Sequence, residues 1–533
     1  MKKSIFTRSI LHVIIICAVQ FRSSYAQDPL LSLSIFSDNT SGTDNIISST
    51  KSDDGLKIFL TGTSDISGNT DVFTIALALD GTELWRHTYG GINADVPKEV
   101  IYFNGYVYVM GVYNKISGTT SEYFLLKYAE ETGYISSAVY THFYNVELFD
   151  MAINSAGNIY VTGSSVHRSL YTESDIFTKA LSGNDLTELH EHIQAGFYAA
   201  VGKKIVIDAL DNVYVWGTII AVSYGDKDCI LIKLNSDLTT SLTPQIYQSY
   251  AGKNDKAIDA EISANGLYIY ALAEGSDNTV SAEPHFALHK ISTSTFVRTW
   301  IKRKGINLAG AYYPKDLLIG SNNYIYLTGQ GAATNDIYNV AYRQNGTVLW
   351  ESTKDFGFAE YGSSMCYENG DIYIAAYCSD NSLRILRYDG TAGTYVWPSE
   401  NTTYAGTSAL TKPSNIFSMS ASEIYVTAAD ENIYTDDYLL LKYTDTAPRH
   451  SASHEKLITS IYPNPANNLC NIVFSDYAEK IEIINAQGEI VFEEKLYDST
   501  EHTLNISSHA DGMYFIKAYF RNTISIQPLS VIK

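Results

Sequence analysis

Cysteine is scarce in this sequence: Cys17 lies near the start, and Cys229, Cys366, Cys378 and Cys470 are scattered along the rest. That spacing excludes a disulfide framework. In the hairpin suggested by Glu368-Asn369-Gly370-Asp371, Cys366 faces Tyr373 and Cys378 lies too far along the strand to reach it, so the four read as buried, small apolar residues. Proline is sparse too: 11 prolines and 35 glycines beside 42 tyrosines exclude a collagen-like or disordered chain and point to a folded β-rich protein. Basic residues are outnumbered 37 to 58, for a formal charge of −21. Without the first 26 residues, which carry Lys2, Lys3, Arg8 and Arg22 and no acid, it is −25. Such a chain repels phosphate backbones and anionic lipid, which excludes nucleic acid as a partner. Outside Ile10 to Val19 no apolar run is long enough to cross a bilayer, so no transmembrane helix is expected in the mature chain. Also missing are a serine nucleophile elbow, a P-loop and a dinucleotide fingerprint at any strand-to-helix junction. No catalytic or cofactor-binding residue is assigned.

What is present is organised by repetition. Residues 1–26 have a basic start, an apolar run and small residues at Ser24 and Ala26, the pattern of a secretory signal peptide cut after Ala26. Cys17 is no lipoprotein site, because bulky Ile16 precedes it. From there the stretch Ile159-Tyr160-Val161-Thr162-Gly163 has relatives at Ile58–Gly62, Val107–Gly111, Val213–Gly217, Leu267–Ala271, Ile325–Gly329, Ile372–Ala376 and Ile424–Ala428. Anchored on the aromatic, the copies sit 49, 52, 54, 54, 58, 47 and 52 residues apart, the fifth on Tyr268. Each unit divides into four strand-like pieces: a lead-in, the Ile-Tyr-Val strand, an apolar strand such as Tyr123–Tyr128, Cys229–Leu234 or Tyr438–Tyr443, and a strand containing Gly81-Thr82-Glu83-Leu84-Trp85 or Gly346-Thr347-Val348-Leu349-Trp350. The second and third pieces lack apolar/polar alternation, as strands covered on both faces should. A tryptophan strand follows only the first seven copies, so Leu30 to Phe36 is expected to complete the last unit beside Tyr438 to Tyr443.

Four-stranded units repeating at this period predict an all-β, eight-bladed β-propeller over residues 27–443, closed by its N-terminal strand; seven blades follow if one weak unit is not a blade. The units resemble a bacterial β-propeller repeat family reading Tyr-Val-x-Gly, Asp-x-Phe, Gly-x-x-x-Trp and Tyr-Gly-Gly. The match spans about residues 44 to 443, and Trp300 and Trp397 fall at altered spacing. It is specific for fold and silent on activity. Residues 444–456 are polar and aperiodic, a linker.

Beyond the linker, Tyr462-Pro463-Asn464-Pro465, then Ile481 to Gly488, then Gly512-Met513-Tyr514-Phe515-Ile516-Lys517 resemble the C-terminal sorting domain of the type IX secretion system. That resemblance implies a small β-sandwich at 457–533, the type IX machinery as partner, passage through the outer membrane, and a secreted or outer-surface location.

Candidate chemistry is thin. His190 and His192 face one way on a strand about 7 Å apart, but no third metal ligand can be named, and solvated strand residues are the simpler reading. His285 and His289 lie about 13 Å apart. Acidic loops recur after the second strand: Asp65 with Asp71, Asp226 with Asp228, and Asp430 with Asp436 and Asp437. Oxygen-rich loops of secreted proteins can bind calcium, though these complete no known pattern and aspartate in turns commonly caps its own backbone. Asp80 to Trp85 resembles a sialidase Asp-box superficially, and belongs to the repeat. Trp85, Trp350 and Trp397 could stack on sugars, yet a tryptophan recurring once per unit reads as core. The expectation is a non-catalytic binding or adhesion module for a glycan or protein. A polysaccharide hydrolase or lyase, and a structural part of the envelope or gliding surface, are the alternatives.

Overall fold

The computed structural model describes residues 30–36, 45–66, 69–91, 94–114, 120–143, 146–166, 173–220, 225–276, 283–305, 310–331, 335–397, 403–405, 411–420, 423–430, 437–444, 458–485, 489–520 and 523–533. Ala26, most of the linker, Gly488, Asp436, and the middles of the loops 113–122, 164–175, 221–228 and 274–284 lie outside these residues.

The described residues are all-β. Up to Thr444 they form four-stranded antiparallel sheets, each a meander in which consecutive strands pair. In chain order the sheets begin at Asn45–Lys51, Ala94–Phe103, Val146–Ile153, Ala199–Ile207, Asp255–Ile262, Tyr313–Ile319, Glu360–Glu368 and Thr411–Ser420. The last has only three consecutive strands, and Leu30–Phe36 pairs with Asp437–Thr444 as its fourth, Leu30 opposite Thr444 and Phe36 opposite Tyr438. Burial follows the pattern read from sequence. Ile159–Ser165, Ile325–Gly331 and Asp336–Tyr342 are buried along their whole length, whereas Glu83–Tyr89 alternates between half-buried and exposed. The second and third strands are therefore covered on both faces by neighbouring sheets.

The apolar cores lie between sheets. Tyr108, Tyr123 and Leu125 pack on Leu148, Ile159 and Phe177 of the next sheet. Tyr214 and Trp216 pack on Ala257 and Ile269, and Tyr373 and Ala375 on Ile416 and Val426. The same kind of cluster joins Ile46, Ile58, Leu60 and Phe73 of the first sheet to Phe417, Tyr425 and Tyr438 of the last. Neighbouring first strands pack together but are not laddered into one closed sheet.

Register corrects one repeat. In the fifth sheet the residue paired across to Lys290 is Tyr270, where Tyr108 pairs with Lys127 and Tyr214 with Lys233. The equivalent aromatic is therefore Tyr270, 56 residues from both Tyr214 and Tyr326, rather than Tyr268. A two-residue slip keeps every side chain on its face, so alternation alone cannot detect it. The hairpin at Asn369-Gly370 pairs Cys366 with Tyr373 and Glu368 with Asp371, and both turn residues have positive φ, 50° and 93°. Cys229, Cys378 and Cys470 are buried thiols, but Cys366 is only half-buried.

The C-terminal residues form one five-stranded sheet in which Leu469–Asn485 pairs with Ile458–Tyr462, Ile490–Asn505 and Gly512–Phe520, and Thr523–Val531 closes the far edge. The expected sandwich takes the form of one branched hydrogen-bonded sheet, in which Leu469–Asn485, 17 residues long, breaks register with Ile490–Asn505 between Val473 and Ala478. Its two halves serve different neighbours around one core of Ile472, Ile481, Ile483, Leu504, Ile516 and Leu529.

Candidate functional site

Each of the eight first strands breaks register at the same place, and Thr411–Ser420 does so a second time between Ser418 and Ser420. The shared breaks fall at Ile46/Ser48, Pro97/Glu99, Leu148/Asp150, Gly202/Lys204, Ala257/Asp259, Pro314/Asp316, Gly362/Ser364 and Pro413/Asn415. A bulge of this kind bends the strand and re-aims a side chain. The repeat's glycine explains the fit: a Cβ on Gly62 would lie 2.0 Å from the carbonyl oxygen of Asn45, and one on Gly163 1.9 Å from that of Glu147. Every residue just past the bulge is polar.

These polar residues reach the next sheet. Asp150 Oδ2 accepts the Ile205 amide at 2.7 Å, Asp259 Oδ2 the Leu317 amide at 3.1 Å and Asp316 Oδ2 the Met365 amide at 2.7 Å. Ser48 accepts from the Val100 amide, and Ser364 contacts Asn415. Lys204 replaces the acid in the fourth sheet, its Nζ 3.2 Å from Asp150 and 3.8 Å from Asp259. Burial pushes Glu99 well above the usual carboxylate range, with repulsion from Asp150 adding to it, and raises Asp150, which Lys204 partly offsets. Burial, then Asp259, pushes Asp316 and Glu261 up to about 8. Attraction to Asp150, then Asp259 and Glu99, holds Lys204 well above the ordinary lysine value. Chemically this is an acid-rich cluster around the Lys204 ammonium, with one oxygen each of Asp150, Asp259, Asp316 and Glu261 engaged by a backbone amide of the next sheet.

A second recurrent contact lies at the turns between third and fourth strands. Tyr108 donates its hydroxyl to the Gly183 carbonyl, Tyr160 to Ser236, Tyr326 to Gly390 and Tyr425 to Leu79, each in the following sheet, with Leu79 in the first. Lys127 and Lys290 also donate to these turns, at Gly183 and Gln344, while their ammonium groups lie over Tyr108 and Tyr270 at 5.8 and 5.6 Å. This tyrosine–lysine clamp was not singled out from sequence, although its signal is there: a lysine recurs inside an otherwise apolar third strand.

The sequence candidates are placed as follows. His190 is exposed and His192 half-buried on Glu188–Gln194, and no third ligand joins them among the described residues. His285 and His289 are fully buried; burial, then Arg298, pushes His289 down to about 3, so it is a neutral core residue. Trp85 and Trp350 donate their indole N–H to the carbonyls of Glu130 and Gly390 in the next sheet and stack on its Tyr128 and Tyr388, and Trp397 is fully buried. Asp71 and Asp228 begin third strands; the side chains of Asp65, Asp430 and Asp437 lie outside the described residues. A cleft of about 330 Å³ opens where the fifth and sixth sheets meet, lined by Arg303, Lys304, Tyr312, Tyr338 and Glu351.

In the C-terminal sheet Asn464 ties the sorting segment to the last strand, accepting from the Ser530 amide and donating to the Pro528 carbonyl. Ala466 adds a hydrogen bond to Ser530. Tyr462 is largely exposed, and half-buried Tyr514 packs on the core while its hydroxyl bonds Ala510. No helix long and apolar enough to cross a membrane occurs among the described residues.

Face-to-face four-stranded meanders followed by this small sheet define a β-propeller chain with a C-terminal export domain. Residues 460–532 match the secretion system C-terminal sorting domain family. That domain marks proteins exported by the type IX system and attached to, or released at, the cell surface, and it implies interaction with that machinery. Nothing among curated proteins matches the chain by sequence. Similar solved structures include PorZ, a surface component of the type IX secretion system of Porphyromonas gingivalis, at 12% identity and TM-score 0.30, covering 92% of this chain and 81% of that one. The polysaccharide lyase Uly1 is 10% identical with TM-score 0.42, covering 78% and 100%. The propeller domain of the Trilobed protease from Pyrococcus furiosus is 10% identical with TM-score 0.38, covering 70% and 99%. At these values the likenesses carry nothing about function.

Proposed function

We propose that residues 27–443 form a closed eight-bladed propeller that works, once exported, as a non-catalytic binding or adhesion module. Closure is supported by the first-to-last contacts: Tyr425 to Leu79, Tyr438 to Thr63, Asn415 to Ser49, and Leu30–Phe36 completing the last sheet. The observation that carries the non-catalytic reading is that the convergent polar groups belong to the scaffold. Asp150, Asp259 and Asp316 each hold a neighbour's amide, and Trp85 and Trp350 each hold a neighbour's carbonyl. What varies between units are the loops joining second to third strands, 113–122, 164–175, 221–228 and 274–284, and a rigid ring carrying variable loops suits recognition.

One observation favours an enzyme acting on polysaccharide: Glu99 and Asp150 are neighbouring carboxyls that burial raises together, and Glu99 Oε2 is buried without a hydrogen-bond partner. Against it, Lys204 and the Ile205 amide already occupy Asp150. The test is to screen the propeller against glycans and matrix proteins, then exchange the four loops for short Gly/Asn turns. The expected result is an intact fold and lost binding. Binding that survives all four exchanges would refute the loop-borne site.

A further inference from the structure

Asp336, Asp355 and Glu360 come together where the sixth sheet meets the seventh. Asp336 opens the third strand Asp336–Tyr342, Asp355 follows the fourth strand Val348–Lys354, and Glu360 opens the next sheet at Glu360–Glu368. One oxygen from each lies within 4.8 Å of the others. Glu360 is fully buried and Asp336 95% so. Glu360 Oε1 accepts the amides of Phe356 and Phe358, both at 3.0 Å, which fixes the carboxylate and turns its other oxygen inward. That oxygen, Glu360 Oε2, and Asp336 Oδ1 are both buried without a hydrogen-bond partner. Two converging carboxylate oxygens stripped of water and left unpaired are costly unless something positive lies between them.

We propose that Asp336, Asp355 and Glu360 hold a calcium ion that staples the sixth sheet to the seventh. The donors are all hard oxygens, with no histidine or cysteine in the set, which disfavours zinc or copper. Oxygens within 4.8 Å of one another fit a calcium shell of about 2.4 Å radius, and magnesium, which sheds its waters reluctantly, is seldom held by a site of protein oxygens. Water or backbone carbonyls complete the coordination. Two other junctions carry partial versions: Asp95 and Asp255 each accept a loop amide, from Gly91 and Ser249, and each keeps a buried Oδ1 without a partner. The full triad occurs, among the described residues, only at Glu360.

The test is calorimetric titration of the purified, chelator-treated chain with calcium chloride, and with magnesium chloride in parallel. Saturable calcium binding is expected, with a stoichiometry one lower in the Asp336→Asn/Glu360→Gln variant, whose circular dichroism matches the parent. Because Glu360→Gln keeps an oxygen for the two amides, the fold should survive. Should that variant misfold, Asp355→Asn, at an exposed position, is expected to weaken binding at least tenfold. Calcium at about 100 times its dissociation constant should raise Tm by about 3 °C, and not in the variant. No saturable heat, an unchanged stoichiometry, magnesium binding as tightly as calcium, or stabilisation that follows acidification alone, as a shared proton between the two buried acids would give, would overturn the proposal.

Discussion

Replacing Lys204 with methionine should expose how much of the propeller's stability rests on the acidic cluster at its bulges. In a medium of effective dielectric about 20, charges at the 3.2 and 3.8 Å separations from Asp150 and Asp259 attract by roughly 5 and 4 kcal/mol before desolvation is subtracted. Removing one partner of a buried pair costs about 3–5 kcal/mol, and the lower end applies because a third of the Lys204 side chain is exposed. At about 2.1 cal/mol/K per residue over roughly 415 residues, about 3 kcal/mol lowers Tm by about 3 °C. The penalty depends on pH with a definite sign. A carboxyl whose folded pKa is raised contributes stability that is complete below its unfolded value and lost as pH rises through the folded one. Asp150, Asp316 and Glu261 are such groups, the last two titrating at about 8. Without the ammonium they rise further. Lys204→Met should therefore cost most near pH ~8 and little near pH ~4, where the acids are protonated in both proteins. Differential scanning calorimetry at both pH values in low salt is the assay. Equal Tm losses at the two, or a loss under about 1 °C at the higher, would refute the reasoning.

Deleting residues 457–533 should strand the chain in the periplasm, as fractionation would reveal; normal surface display of the truncation would contradict a sorting role. Tyr160→Phe and Tyr425→Phe should each cost about 1 kcal/mol in denaturant unfolding, since each removes one partly buried inter-sheet hydrogen bond. A silent Tyr425→Phe beside a costly Tyr160→Phe would mean that the first and last sheets do not meet. Cysteines placed at Ser32 and Lys442, which are paired across the strands, should form an intramolecular disulfide under mild oxidation, visible by mass and non-reducing mobility. Bonding only between molecules would contradict pairing of the N-terminal strand within its own chain.

The second and third strands were legible because burial on both faces leaves an apolar run no loop would carry, and the turn at Asn369-Gly370 because a tight hairpin demands positive φ. The bulges were not. Lys98-Glu99 or Phe149-Asp150 reads as ordinary alternation, and only the partner's register reveals the extra residue. For the same reason the polar set from Ser48 to Asn415 was invisible: its members are spaced like the repeat, but their chemistry changes from acid to lysine to serine. Asp336, Asp355 and Glu360 went unnoticed because they come together only where two sheets meet, Asp336 opening a third strand of one and Glu360 the first strand of the next, whereas the aspartates singled out for calcium shared one loop. The recurrence of tryptophan once per unit points to packing between sheets, but nothing in it signals that Trp85 and Trp350 donate to the next sheet.

The central claim, a binding module without turnover, is tested most directly by incubating the purified exported protein with each glycan polymer it binds and following chain length and reducing ends over time. The account predicts retention of the polymer at unchanged length. Release of shorter products by the wild type, abolished by Glu99→Gln or Asp150→Asn in a protein that still folds and binds, would contradict it and make the bulge cluster an active site.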